Sequence, residues 1–538
     1  MKSKNLHLLF LSNLVFAYVF AQPTIKTQRV IGGSAHDAFY SMCFTNDGGM
    51  LFGGSSNSPV SGNKTDTSRG SLDYWIVKTD SSGHFQWDKT IGGIGSDELR
   101  TVLQTDDGGY IVGGYSYSSI SGEKTQKKRG LNDYWIVKLN SIGNIEWDKA
   151  YGGSDEDRFS VMQQTRDGGY ILGGYSPSNI SGEKTENSRG NNDYWVVKVD
   201  RLGSVQWDKT IGGNDYDALN CLQQTADGGY ILGGVSLSNI SGEKTENSRG
   251  SGDYWIVKLD SSGNIQWDKT IGGNDEDELS SIQLTYDGGY ILGGMSFSNI
   301  SGEKTHHSRG QSDYWIVKLD SLGNIQGDKT IGGDNAEELS SLEPTHDGGW
   351  VLGGWSASNI SGEKSENGRG NRDYWIVKLN RGGDIEWDKT IGGDNEDDRV
   401  KVLQATKNIY IVGGASKSDV AGDKTKMKRG RSDFWIVVLE DSNSIINDIT
   451  SLQDSHSLKS RENKSIKTFS IYPNPVKDIL HIQSKKKIMV SLTNEEGKVL
   501  LTKTIEGTST INVANLRRGL YYLKNTATNE MQKVILLQ

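Results

Sequence analysis

Thr225 to Gly273 reads T-A-D-G-G-Y-I-L-G-G-V-S-L-S-N-I-S-G-E-K-T-E-N-S-R-G-S-G-D-Y-W-I-V-K-L-D-S-S-G-N-I-Q-W-D-K-T-I-G-G. With the residues just before it, this stretch holds four strand-like runs: Leu219 to Thr225, Gly229 to Ser236, Tyr254 to Leu259 and Ile265 to Ile271. Turn chemistry joins them in pairs. Ala226-Asp227-Gly228 links the first two and Asp260-Ser261-Ser262-Gly263-Asn264 the last two, both glycine-bearing hairpin connections that supply positive φ. The third run, Tyr-Trp-Ile-Val-Lys-Leu, is apolar on both faces, which predicts a strand covered on both sides.

The same pattern recurs along the chain. Asp-Gly-Gly-aromatic (Met50 in the first copy) begins at Asp47, Asp107, Asp167, Asp227, Asp287 and Asp347, with a decayed copy at Lys407-Asn408-Ile409-Tyr410, and the period is 60 residues without slippage. Trp75, Trp135, Trp195, Trp255, Trp315, Trp375 and Trp435 follow in a D-Y-W or D-F-W triplet, so the count of units is seven. Four short strands per unit with both faces covered predict a propeller blade, and the fold class is all-β. A solenoid is the rival geometry. Copy seven lacks the W-D-K-T-I-G-G strand, while Thr27 to Gly33 matches the end of that strand in register, so an N-terminal strand completing the last blade would close the ring. The expected fold is a seven-bladed β-propeller over residues 22–440, closed by that strand.

Composition agrees with a glycine-punctuated β protein: 538 residues hold 68 Gly, 6 Pro, 14 Trp and 22 Tyr. A net charge of -9 argues against binding nucleic acid or an anionic membrane, which demand clustered Lys and Arg. Residues 1–21, with Lys2 and Lys4 ahead of an apolar run ending in Val19-Phe20-Ala21, read as an export signal, the run being short for a membrane span. No other segment suits a transmembrane anchor. Cys43 and Cys221 fall at nearly the same place in units one and four, too far apart in a ring for a disulfide, and read as small buried side chains.

From 441 to 467 the periodicity vanishes and a polar linker is expected. Strand signals return over 468–538. Tyr472-Pro473-Asn474-Pro475, the N-x-x-G-K turn with Gly497 and Lys498, the L-x-x-G-x-Y element with Gly519 and Tyr521, and the final Lys533-Val534-Ile535-Leu536 occur in that order. This segment closely resembles the type A C-terminal sorting domain of the bacterial type IX secretion system. The resemblance implies a small Ig-like β-sandwich, a partnership with the type IX secretion machinery, and a product that is secreted or held on the outer surface of a Gram-negative bacterium.

Catalytic and metal motifs are sparse: no H-E-x-x-H, no G-x-S-x-G and no phosphate-binding glycine loop occurs, and His306-His307 reads as solvated surface. No cofactor is expected. Calcium is the one competing reading, because Asn274-Asp275-Glu276-Asp277-Glu278 and its equivalents put several oxygens in a short loop, though without D-x-D-x-D-G spacing. The repeated Lys, Arg and Asp of the long second-to-third connection, in unit four Lys244, Arg249 and Asp253 beside Trp255, are expected to form one hydrogen-bonded network per blade. Variation concentrates just after the second strand. The equivalent positions are Ser55, Tyr115, Tyr175, Val235, Met295, Trp355 and Ala415, and two residues on, Asn57, Tyr117, Pro177, Leu237, Phe297, Ala357 and Lys417. Tyr115, Tyr117, Tyr175, Phe297 and Trp355 are therefore the candidate contacts of an extracellular glycan or protein ligand. A non-catalytic binding module is the expected function; a structural surface component and a glycosidase or lyase working through paired carboxylates are the alternatives.

Overall fold

The computed structural model describes residues 22–441 and most of 469–536; within the latter stretch 473–478, 495–497, 515, 517–518 and 527–530 lie outside the described residues. The export signal, the linker beyond Asp441, and Pro473, Asn474, Pro475 and Gly497 of the sorting motif fall outside them too. The chain forms two compact units, Met1–Ile449 and Thr450–Gln538.

All regular elements among the described residues are strands, and the first unit arranges them as seven four-stranded antiparallel sheets. In the fourth repeat the strands are Asp217–Gln224, Tyr230–Ser236, Asp253–Leu259 and Ile265–Ile271, each paired with its sequence neighbours. The hairpins depend on glycine where expected: Gly228 has φ 86° and Gly263 φ 83°. Asp260 closes the second hairpin by accepting from the amides of Ser262 and Asn264 at 2.8 and 2.9 Å. The third strand, apolar on both faces in sequence, is buried along its whole length.

One device ties each sheet to the next. The Tyr254 hydroxyl donates to the Trp315 carbonyl of the following repeat at 3.0 Å, with the rings 4.9 Å apart. Tyr74, Tyr134, Tyr194, Tyr314 and Tyr374 repeat this contact. The result is a propeller-like array whose cores lie between successive sheets.

The seventh sheet draws on both ends of the unit. Thr24–Ile31 pairs antiparallel with Asp433–Glu440, placing Val30 opposite Trp435, and Ile409–Ser416 and Asp397–Thr406 complete the sheet. This sheet touches the first one. Phe434 stands 5.4 Å from the ring of Phe39 and 5.1 Å from that of Trp75, and the Asp37 amide donates to the Ser432 carbonyl at 2.9 Å. Cys43 is half-buried and Cys221 buried, both as free thiols.

The second unit is a five-stranded sheet of Phe469–Tyr472, Ile479–Asn494, Val499–Asn512, Gly519–Asn525 and Met531–Leu536. The long hairpin loses register between Ser484 and Ile488, so its first half pairs with Phe469–Tyr472 and its second half with Gly519–Asn525. Leu480 and Ile482 from one half and Val490 and Leu492 from the other share one core with Tyr521 and Val534. The strands form one connected sheet whose long strand Ile479–Asn494 is irregular between Ser484 and Ile488.

Candidate functional site

The long connection between second and third strands is held from below by buried charge. In the fourth repeat Lys244 donates to Thr270 Oγ1 at 2.7 Å and lies 5.4 Å above the Trp255 ring. The Trp255 indole donates to Asp268 Oδ2 at 3.0 Å, and Asp268 also accepts from the Thr245 hydroxyl at 2.6 Å. Asp253 accepts from the Arg249 amide at 2.5 Å, while the Arg249 guanidinium reaches Glu303 of the next repeat at 2.7 Å. Burial pushes the Lys244 ammonium down to about 8 against the pull of Asp217, Asp253 and Asp268. The geometry brings Lys244, Arg249, Asp253 and Trp255 together, and extends the network across the joint through Glu303. Asp277 of the acidic crossover turns inward, accepting from the Gly273 amide at 2.6 Å and the Ser298 hydroxyl at 3.0 Å. No group of three or more His, Cys, Asp or Glu side chains suited to holding a metal occurs among the described residues.

A second arrangement is not repetitive. In each of the first six repeats the opening strand carries a one-residue irregularity, at Tyr40, Arg100, Ser160, Asn220, Ser280 and Ser340, and these bulged residues converge on one funnel with walls from several sheets. Its larger hollow has a volume of about 450 Å³. Four arginines gather here. Arg100 and Arg399 lie over the Tyr40 ring at 4.2 and 4.5 Å, Arg372 covers Trp355 at 4.1 Å, and Arg158 stands 5.5 Å from Tyr115. Glu278, Glu338 and Asp398 stand among them, and burial raises the proton affinity of all three carboxyls.

Arg399 reaches the funnel by breaking the repeat. At its position the other units place Phe39, Leu99, Phe159, Leu219, Leu279 and Leu339, all core residues. A guanidinium cannot fill that apolar site, and here the backbone inverts. Arg399 adopts φ 57°, the single positive φ of a non-glycine among the described residues, and register with the partner strand slips from Asp398 to Lys401. Val400, fully buried, takes the core place and faces Gly353 as the leucines face their own glycines. Such a conformation costs about 1–2 kcal/mol, and strain of this kind gathers at functional positions.

The residues singled out from sequence variation divide. Tyr115 and Trp355 are 3 % and 8 % exposed, so neither ring lies open. The Tyr115 hydroxyl donates to Glu98 at 2.7 Å and receives Arg100 at 2.9 Å. Tyr117, Tyr175 and Phe297 are half-buried, Tyr117 bonded to Glu156 at 3.0 Å and Tyr175 packed 5.8 Å from Tyr216. Tyr115, Tyr175 and Trp355 therefore form the wall behind the arginines. Of the first-strand residues at the facing position, Glu98, Arg158, Glu338 and Asp398 were not singled out in sequence, and Glu278 was named only in the calcium reading. Their variation between repeats was the available signal, since Ala38 and Ala218 stand at the same position. In the second unit Lys498 is exposed and Tyr521 buried, and Gly519 opens its strand.

Comparison with known proteins bears mainly on that second unit. The chain is 20% identical over 497 residues to the Regulatory protein FlaEY of Caulobacter vibrioides, covering 85% of this chain and about half the length of that relative. A protein of unknown function from Dyadobacter fermentans aligns over 78% of this chain and 99% of its own at 11% identity, with a TM-score of 0.40. The WD40 domain of Neurospora crassa Pan2 aligns over 77% and 95% at 11% identity, with a TM-score of 0.39. Residues 470–537 match the family described as the Secretion system C-terminal sorting domain, and the chain is accordingly a protein exported to the outer surface of a Gram-negative bacterium, or beyond it, through its C-terminal segment.

Proposed function

We propose that the seven sheets close into a ring over residues 22–440 and that the exported protein is a non-catalytic binding module whose ligand, a glycan or a protein segment, enters the axial funnel. The observation that carries this reading is Arg399. A costly backbone conformation delivers a cation to the one place where all the repeats meet, in a repeat whose sequence would otherwise have supplied another leucine. The guanidinium groups on Tyr40 and Trp355, with serines at Ser160 and Ser280, offer stacked planes and hydrogen-bond donors to a polar ligand bearing negative charge. Glycan-array and pull-down screens on residues 22–440 test this. Binding should fall at least tenfold in Arg399→Ala and in Arg100→Ala, and binding that survives both moves the site elsewhere. No ligand in either screen would favour a purely structural surface role.

One observation favours a second reading. Glu278, Glu338 and Asp398 are carboxyls of raised proton affinity confined to three repeats, as an acid–base pair would be. Turnover of an acidic polysaccharide, abolished by Glu338→Gln, would establish it in place of simple binding.

A further inference from the structure

Between successive repeats the joints share one construction, and the joint between the last sheet and the first departs from it. Elsewhere a tryptophan of the fourth strand meets a tyrosine of the next repeat: Trp87 with Tyr110, Trp147 with Tyr170, Trp207 with Tyr230, Trp267 with Tyr290 and Trp387 with Tyr410, at ring separations of 5.3–6.4 Å. Gly327 opposite Trp350 keeps one ring of the two. At the last joint both are gone. Thr27, paired with Val438 as Trp267 is paired with Lys258, stands in the tryptophan's place, and Met50 stands in the tyrosine's. The missing rings leave an apolar cavity of about 720 Å³ walled by Phe44, Met50, Phe52, Ile411, Ile436 and Val438.

The charges change with it. Arg69, Arg129, Arg189, Arg249, Arg309 and Arg369 each pair with a carboxylate of the following repeat, whereas Arg429 meets the amide of Asn63. The tryptophan-bound aspartate of the other sheets, Asp268 for example, is Gln28 here, which accepts from Trp435 at 3.1 Å. Lys209, Lys269 and Lys389 are neutralised by Glu186, Glu246 and Glu366; the matching pair at this joint is Arg29 and Lys426, both cationic. Three carboxylate positions are thus occupied by Gln28, Asn63 and Lys426, and the cations Arg29, Lys426 and Arg429 line a groove of about 520 Å³ that shares Thr27, Gln28 and Arg29 with the apolar cavity.

We propose that this joint is a binding site for a free acidic amphiphile, a molecule whose apolar ring or chain fills the cavity and whose anionic head lies against Arg29, Lys426 and Arg429. The cavity has the volume of a small-molecule pocket and is walled by two sheets, which suits one ligand molecule in preference to a bilayer face. The site is separate from the axial funnel, and its test does not depend on the funnel's ligand.

The probe is 8-anilinonaphthalene-1-sulfonate, with N-phenyl-1-naphthylamine, the same rings without the sulfonate, as the neutral control. One saturable site per chain is expected on residues 22–440. Thr27→Trp with Met50→Tyr restores the rings found at the other joints, which fold with them, and should abolish binding of both probes while raising the melting temperature. Asn63→Glu with Lys426→Glu restores the carboxylates and should weaken the sulfonate probe at least tenfold while leaving the neutral one within twofold. Unchanged sulfonate affinity in either double variant would overturn the proposal. So would capture by phosphatidylglycerol vesicles without any binding of the soluble probe.

Discussion

Removing the N-terminal strand, residues 22–31, should destabilise the whole first unit and not only its last sheet. The strand pairs with Asp433–Glu440, buries Val30 and Ile31, and satisfies the Trp435 indole through Gln28. Burial of the two side chains is worth about 2 kcal/mol each, and the orphaned indole costs about 1 kcal/mol more. Freedom regained by the lost residues offsets part of this, so the net loss should be on the order of 3 kcal/mol. Urea unfolding of residues 22–440 and 32–440 measures the difference, with hydrogen exchange on Ile436 to Leu439 reporting the uncovered edge. A synthetic peptide of residues 22–33 should restore most of the loss in trans. If the two proteins unfold at the same urea concentration and the peptide shifts neither, the strand does not hold the first and last sheets together.

Three further outcomes follow from single residues. A Cβ on Gly272 would lie 1.9 Å from Asp253 Oδ1, and Gly272→Ala should lower stability by about 1–3 kcal/mol in a urea titration, an unchanged midpoint counting against the packing described. Burial pushes the Cys43 thiol up to about 12 and the Cys221 thiol higher, so native protein at pH 8 should resist a disulfide reagent that labels both groups in urea; fast native labelling would contradict this. Hydrogen bonds from Lys78 and Thr45 hold the Asp47 carboxyl down to about 2, below its ordinary 3.8. At Asp227 burial works the other way but is outweighed by Lys258, Thr225 and Gly229, again to about 2. Folded values below the unfolded one give stability that is present above about pH 4 and lost as the pH falls to about 2. Asp47→Asn with Asp227→Asn should flatten the melting temperature over that window, and an unaltered acid limb would refute the assignment.

Much of this architecture is visible in the chain because the repeat never slips. Strand four of the fourth repeat, Ile265–Ile271, is bounded in sequence as it is in space, and the first strand starts at Asp217 in place of Leu219 and ends at Gln224 in place of Thr225. The aspartate's side chain is occupied with Gly213 and Ser238, and its backbone still continues the ladder. The funnel was harder to read. Alternation in a strand assigns every second residue to one face, but the bulge at Arg100 or Ser160 resets that alternation, so residues that pattern alone leaves unplaced end up lining the funnel. Tyr115 and Trp355 looked open because variable aromatics next to a loop usually are; the glutamates opposite them and the arginines above them cover both rings. Arg399 was visible only as one cation in an apolar column, and nothing in the linear pattern tells that Val400 would move into its place.

The hydroxyl clasps between sheets have a mechanical meaning. Six tyrosines each hold a carbonyl of the neighbouring third strand, or the backbone close to it, while at the remaining joint Phe434 has no hydroxyl to offer and Arg429 no carboxylate to grip. Under drag at a cell surface, tension carried from sheet to sheet would concentrate where the fewest directional bonds resist it. That joint should part first, as a hinge pin gives before the door.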